Sequence, residues 1–133
     1  FRIGIGAIEV KSTLSPNSFP ASINSLEQLD DSSISPIFLA GIRLTLTESG
    51  RTLPEQVAEL RNLIQENPVA HAFFGTRLLQ AGFLDGAASH YSRRFSQVET
   101  RLLRVSDGFP RLTRTTVANE ISRVRYEIDL DLI

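Results

Sequence analysis

The segment "AIEVKST", residues 7–13, places an acid and an amine two positions apart in a run that alternates like a β-strand. Successive side chains of a strand point to opposite faces, so Glu9 and Lys11 share one face. A carboxylate can bind a hard divalent cation, and a nearby ammonium can orient a water and stabilise negative charge on a phosphate. The main-chain carbonyl of Val10 offers the ion a further oxygen. This spacing therefore allows metal-dependent hydrolysis of a phosphodiester.

The same spacing also has a purely structural interpretation. A Glu-x-Lys pair on an exposed strand is commonly a solvated ion pair that contributes only ~0.2 to 1 kcal/mol. One feature favours a functional role for Lys11, which is the only lysine beside thirteen arginines in the chain. A compact ammonium can assist a water molecule where a planar guanidinium cannot. Spacing alone leaves both interpretations open.

The elements that must position this pair follow from hydrophobic periodicity and capping signals. Ser25 with Gln28, and Thr52 with Glu55, have the spacing of helix capping boxes. Gln28 would then reach back to its own helix cap, which is the ordinary role of a glutamine at that position. The patterns predict, in chain order, a strand in residues 1–13, a short helix from 25, a strand in 35–48, helices beginning at 52 and 67, and strands in 93–106 and 121–133. They indicate an α/β (α+β) chain.

Composition narrows the function classes. With 133 residues, 41% of them hydrophobic, the chain suits one domain with one core. It has no cysteine and only two separated histidines, so disulfides and a zinc site are not expected and any metal should be held by oxygen. No apolar run approaches the ~20 residues of a membrane span, and no signal peptide is visible. We expect a cytoplasmic protein without a membrane partner.

Arginines concentrate in the last third of a chain whose net charge is only −1. Guanidinium groups bind phosphate well, so this region is a candidate DNA contact. The alternative is that the arginines lie on several faces and only keep the protein soluble. The residues predicted to contact nucleic acid are Arg93, Arg94, Arg111 and Arg114.

Several segments together resemble a known family: "IEVKST", "SINSLEQL", "GRTLPEQVAEL", "LLQAGF", "FPRLTR" and "ISRVRYEIDL". They are similar to an uncharacterised bacterial family of the PD-(D/E)XK nuclease superfamily, often found near restriction and phage-defence genes. The resemblance spans nearly the whole chain. It implies a restriction-endonuclease-like mixed β-sheet flanked by helices, DNA as substrate, Mg²⁺ or Mn²⁺ as cofactor, and restriction or defence proteins or a second copy as partners. Glu9 matches the second acid of the family motif, Lys11 its lysine, and Gln28 a recurring glutamine.

The chain departs from the family pattern in one respect. The first aspartate of the family motif stands shortly before the strand, commonly next to a phenylalanine such as Phe1, and no aspartate precedes Glu9 here. We therefore expect residues 1–133 to be a single, N-terminally truncated PD-(D/E)XK-like domain, the C-terminal fragment of a longer protein, which binds no metal and is inactive by itself. The alternative is a nuclease-like module that binds DNA or a subunit without cutting.

Overall fold

The computed structural model describes residues 1–133, apart from the side chain of Ile3. The strands are β1 (Arg2–Ile3), β2 (Gly6–Thr13), β3 (Pro20–Ile23), β4 (Ile37–Thr52), β5 (Arg94–Val105) and β6 (Tyr126–Asp129), and the helices are α1 (Leu53–Leu63) and α2 (Pro68–Gln80). Three short 3₁₀ turns are also present, at Leu26–Leu29, Asp85–His90 and Leu130–Leu132. The predicted mixture of strands and helices is confirmed.

The main sheet contains both parallel and antiparallel pairs, as predicted. Its strand order is β1-β2-β4-β5. Strand β2 runs antiparallel to β1 and parallel to β4, with Glu9 beside Leu39 and Lys11 beside Gly41. A second sheet consists of β3 and β6, antiparallel, with Pro20 beside Asp129. Strand β2 is therefore an interior strand of a mixed sheet.

Contacts within the chain divide it into two compact units. The sheet unit contains residues 1–45 and 97–133, and the helical unit contains residues 46–96. That both belong to the single domain predicted from the sequence stays a prediction. In the part of the chain that the structure describes, no helix is both long and apolar enough to cross a membrane.

The core of the sheet unit lies on the same face of β2 and β4 as Glu9. Leu39 is fully buried and is the register partner of Glu9, and register partners in a sheet project to one face. The other buried side chains of this core are Phe19, Ala21, Ile23, Leu29, Ile37, Val105, Ile128 and Leu130. The acid and the amine on β2 therefore stand at the margin of a hydrophobic core.

Helix α1 begins with the predicted capping box. The Thr52 backbone N–H donates to Glu55 Oε2 at 2.8 Å, and the Glu55 N–H donates to Thr52 Oγ1 at 3.3 Å. Helix α2 begins at the predicted Asn67 cap, whose side chain accepts a hydrogen bond from the Ala70 N–H at 3.0 Å. Phe73 of this helix is 60% exposed.

The final strand is shorter than its alternating pattern predicts. Strand β6 covers Tyr126–Asp129, whereas the pattern extends over residues 121–133. The Asp129 carboxylate accepts a hydrogen bond from the Asp131 N–H at 3.1 Å and starts the 3₁₀ turn Leu130–Leu132. Side-chain capping of this kind competes with strand extension, so Leu132 leaves the core face and is 85% exposed.

Candidate active site

Strand β2 holds Glu9 and Lys11 side by side in a partly desolvated position. Lys11 Nζ lies 2.8 Å from Glu9 Oε1, and the two side chains are only 13% and 24% exposed, respectively. A solvated surface pair would leave both groups largely in water. The described geometry therefore differs from the simple structural interpretation, because most of this acid and this amine lies out of solvent.

Gln28 completes a hydrogen-bonded triad with the pair. Lys11 Nζ donates to Gln28 Oε1 at 3.1 Å, and the Asn24 backbone N–H donates to the same oxygen at 2.9 Å. Buried Leu26 and Leu29 anchor the turn that carries Gln28. Gln28 is 17 positions beyond Lys11 in the sequence, and the fold brings it to the Glu9–Lys11 pair.

The predicted capping box at Ser25 does not form. Leu26–Leu29 is a four-residue 3₁₀ turn, and the Ser25 side chain makes no cap hydrogen bond. The Gln28 amide oxygen binds the N–H of Asn24, one residue before the predicted cap, and is shared with Lys11. The same spacing that produces a true box at Thr52 fails here because the turn is too short to continue as an α-helix.

A cavity of about 310 Å³ opens beside Glu9 and Gln28. Its lining includes Arg2 and two further acids, Glu27 and Asp30. The pKa of Glu27 is lowered mainly by a backbone hydrogen bond to its carboxylate. The pKa of Asp30 is lowered mainly by a hydrogen bond from the Ser32 N–H. Both carboxylates are therefore ionised at neutral pH. Three carboxylates, those of Glu9, Glu27 and Asp30, therefore border the same cavity.

The carboxylates around this cavity do not form a complete set of metal ligands. Within the described residues, no three His, Cys, Asp or Glu side chains are grouped closely enough to hold a metal ion. Oxygen donors such as the Glu9 carboxylate do suit Mg²⁺, which commonly takes one or two carboxylates and fills its other positions with water and substrate oxygens. The residues present therefore fit Mg²⁺ as one side of a shared site.

The alternation of backbone groups along β2 determines which edge of the strand the Val10 carbonyl faces. The Ala7 N–H donates to the Pro36 carbonyl, whereas the Ile8 N–H donates to the Phe1 carbonyl on the opposite edge of β2. Backbone groups of a strand alternate between its two edges, so the Val10 carbonyl points to the same edge as that of Ile8. A ligand role for this carbonyl thus requires an ion on the β1 side of β2 and stays a prediction.

The β1–β2 ladder places the first residues of the chain beside the strand that carries Glu9. Phe1 and Ile8 exchange two hydrogen bonds of 2.7 Å, which makes them a hydrogen-bonded antiparallel pair. Arg2 lies beside Ala7 in the same register.

The four arginines predicted to contact DNA are not equally available. Arg111 is 14% exposed, binds Asp31 at 2.9 Å and donates to the Leu29 carbonyl, so it fastens the turn that carries Gln28. Arg94 binds both carboxylate oxygens of Glu55 within the helical unit. These contacts give Arg111 and Arg94 structural roles, while their contact with DNA stays untested.

Arg114 and Arg93 keep more of their charge accessible. Arg114 is 51% exposed, and its contact with Glu27 is long, at 3.4 Å. The Arg93 guanidinium lies over the Phe95 ring, 5.6 Å from its centroid, within the helical unit. Neither contact is a short buried ion pair, and the predicted DNA contact of both residues stays a prediction.

The sheet unit contains a second charged cluster, which was not predicted from the sequence. Arg43 binds Glu99 at 3.2 Å and Asp131 at 3.1 Å, and Arg101 contacts the same two acids. Both guanidinium groups lie over the buried Phe19 ring, 4.6 and 5.4 Å from its centroid. Strand alternation could have indicated this cluster, because Arg43 lies on the same face of β4 as Ile37, Leu39 and Gly41. Asp131 is an ion-pair partner of both arginines.

Comparison with known proteins bears on the meaning of the triad. Residues 1–131 match the model of a family described as "Putative PD-(D/E)XK family member, (DUF4420)". A search of curated proteins and a search of solved structures each found no match. The match covers nearly the whole chain, and the mixed sheet agrees with a restriction-endonuclease-like fold. The chain therefore belongs to this PD-(D/E)XK family.

Proposed function

We propose that the chain is part of a magnesium-dependent DNA endonuclease of a restriction or phage-defence system. One observation carries the proposal: the Lys11 ammonium is held between the Glu9 carboxylate and the Gln28 amide, at 2.8 and 3.1 Å, beside an open cavity. Membership of a PD-(D/E)XK family supports the reaction class. Activity on DNA in a bacterial cell fits the cytoplasmic location expected from the sequence.

Glu9, Lys11 and Gln28 have different roles in the proposed hydrolysis. Glu9 would hold the divalent ion, which when bound would neutralise charge on the phosphate and acidify a water. Lys11 donates a hydrogen bond to the attacking water or to a phosphoryl oxygen and stabilises its growing negative charge. Gln28 accepts from Lys11 and so fixes the direction of the ammonium, while its bond to Asn24 fixes Gln28 itself.

A complete site needs a second carboxylate beside Glu9. The resemblance to the family implies that its first aspartate, shortly before the strand, supplies that carboxylate. No aspartate precedes Glu9 in residues 1–133, so we expect these residues alone to bind no Mg²⁺ and not to cleave DNA. Adding a single aspartate before Phe1 should strengthen Mn²⁺ binding measured by calorimetry, and adding asparagine should not.

The direct test of the function is DNA cleavage by the natural full-length protein. We expect supercoiled plasmid to be nicked or linearised with Mg²⁺ or Mn²⁺ and to stay intact with EDTA. Glu9→Gln keeps the size of the side chain but removes the charge that binds the ion, and should abolish cleavage. Cleavage that continues in EDTA, or in Glu9→Gln at the unchanged rate, would refute the metal assignment.

A second candidate function is favoured by the incomplete metal cage among the described residues. In that case the chain binds DNA or a partner subunit without cutting, and Glu9 and Lys11 only stabilise the fold. This alternative predicts DNA binding that weakens steeply with salt, needs no divalent ion and accompanies no cleavage. Fluorescence anisotropy with a labelled duplex at several salt concentrations, with and without EDTA, separates the two functions.

A further inference from the structure

The C-terminal segment carries charges that invert about its centre. Residues 123–129 read Arg-Val-Arg-Tyr-Glu-Ile-Asp, with cations before Tyr126 and acids after it. If two copies of this segment pair antiparallel about Tyr126, Arg125 of one copy lies opposite Glu127 of the other. Arg123 then lies opposite Asp129. Every charged position of one strand meets the opposite charge on the second, which stabilises antiparallel pairing.

The backbone of β6 is oriented for that register. β6 has a partner strand on one edge only within the described residues, namely β3. The Leu130 N–H donates to the Phe19 carbonyl at 2.9 Å across this pairing, so even-numbered residues direct their backbone groups toward β3. The odd-numbered residues, Arg125 and Glu127 among them, direct theirs to the opposite edge. Pairing about Tyr126 requires hydrogen bonds from these odd-numbered residues.

Three of the four charged side chains are exposed and little used within the chain, whereas Asp129 accepts hydrogen bonds from the Phe19 and Asp131 N–H groups. Arg123, Arg125 and Glu127 are all exposed, and neither arginine forms an ion pair with any residue that the structure describes. Glu127 accepts only a long hydrogen bond from Ser22, at 3.4 Å, on the β3 side. The strand also stops at Tyr126 although its alternation continues back to Arg123. A second copy would supply the partner that residues 123–125 lack.

Exposed apolar side chains extend the same surface. Ile121 is 45% exposed, and the register about Tyr126 brings it level with Asp131 of the second copy, next to Leu132, which is 85% exposed. Val124 comes opposite Ile128. One short strand with these few apolar contacts buries less than the roughly 1,600 Å² of a standard stable interface. The dimer should therefore form only at micromolar or higher protein concentration.

We propose that the free edge of β6 is a homodimer interface, in which residues 123–129 of two copies pair antiparallel about a two-fold axis at Tyr126. The interface does not depend on the nuclease function, because neither Glu9 nor Lys11 takes part. It also accounts for the difference between the long strand predicted from the sequence and the short β6 of the single chain.

Charge reversal tests both the interface and its register. Arg125→Glu puts like charges opposite each other at both symmetric positions and should weaken dimerisation about tenfold or more in sedimentation equilibrium. Glu127→Arg should do the same. The double variant Arg125→Glu with Glu127→Arg restores opposite charges in both pairs and should recover the wild-type association constant. Arg104→Glu, outside the segment, is the matched control and should change nothing.

A backbone variant separates strand pairing from simple charge attraction. Arg125→Pro removes an N–H directed to the free edge, lies outside β6 of the single chain, and should abolish dimerisation while circular dichroism stays unchanged. A wild-type chain that stays monomeric at all concentrations would overturn the proposal, as would a double charge swap that fails to restore association. The same arginines border a cavity of about 430 Å³ with Arg114, so a loss of DNA affinity without any change in mass would assign them to phosphate instead.

Discussion

The coupling between Glu9 and Lys11 gives the sharpest energetic prediction. The two charged atoms are 2.8 Å apart, and the Lys11 and Glu9 side chains are 13% and 24% exposed. Removing either partner leaves the other in a place poor in water, at a cost of about 1 to 3 kcal/mol. Removing both, in Glu9→Gln with Lys11→Met, avoids that cost.

A double-mutant cycle measures this difference. We expect a coupling energy of about 1.5 to 2.5 kcal/mol, above the ~0.2 to 1 kcal/mol of exposed pairs, because most of both side chains is out of water. Urea unfolding followed by circular dichroism supplies the four free energies of unfolding. The Arg114–Glu27 pair of the same unit is the control, since its side chains are 51% and 64% exposed. A Glu9–Lys11 coupling no larger than that of the control would refute the claim that the pair is desolvated.

Three further predictions concern the scaffold. Gly41→Ala should cost about 1 to 3 kcal/mol of unfolding free energy, because the new Cβ would press on buried Leu130 and lie 3.0 Å from the Phe19 ring; thermal unfolding measures it. Thr52→Ala should cost about 1 kcal/mol and reduce the helical circular dichroism signal, because it removes the cap of α1. The Thr52 N–H holds the pKa of Glu55 below its usual value, so this carboxylate stabilises the folded state above its unfolded pKa and the stabilisation is lost as pH falls through the lower folded pKa. Glu55→Gln should therefore flatten the acid side of a stability profile between pH 7 and pH 3.

Local signals in the sequence were reliable where one segment contains the whole interaction. The capping box of Thr52 and Glu55 is complete within four residues, so its spacing is sufficient information. The face shared by Glu9 and Lys11 follows from strand alternation, which needs only β2. The strand predicted in residues 35–48 is present as β4, and Ile37 and Leu39 are buried there.

Interactions between distant segments could not be predicted in this way. The Gln28 amide was expected to cap its own helix, and its bond to Lys11 depends on how the 3₁₀ turn packs against β2. Arg43 binds Asp131, 88 positions later, because β4 and the C-terminal turn meet at the Phe19 ring. Periodicity gives the face of a residue and not its partner.

The most direct test of the central claim is the cleavage rate of plasmid DNA by the natural full-length protein and by its Lys11→Ala variant, at saturating Mg²⁺. Arg51→Ala, an exposed cation of the helical unit, is the matched control. Losing one group that stabilises developing charge typically costs 10²- to 10³-fold in rate, so Lys11→Ala should be slower by about that factor while its DNA affinity stays within about twofold. Arg51→Ala should cleave at the wild-type rate. Equal cleavage by the Lys11→Ala and wild-type proteins would contradict the account.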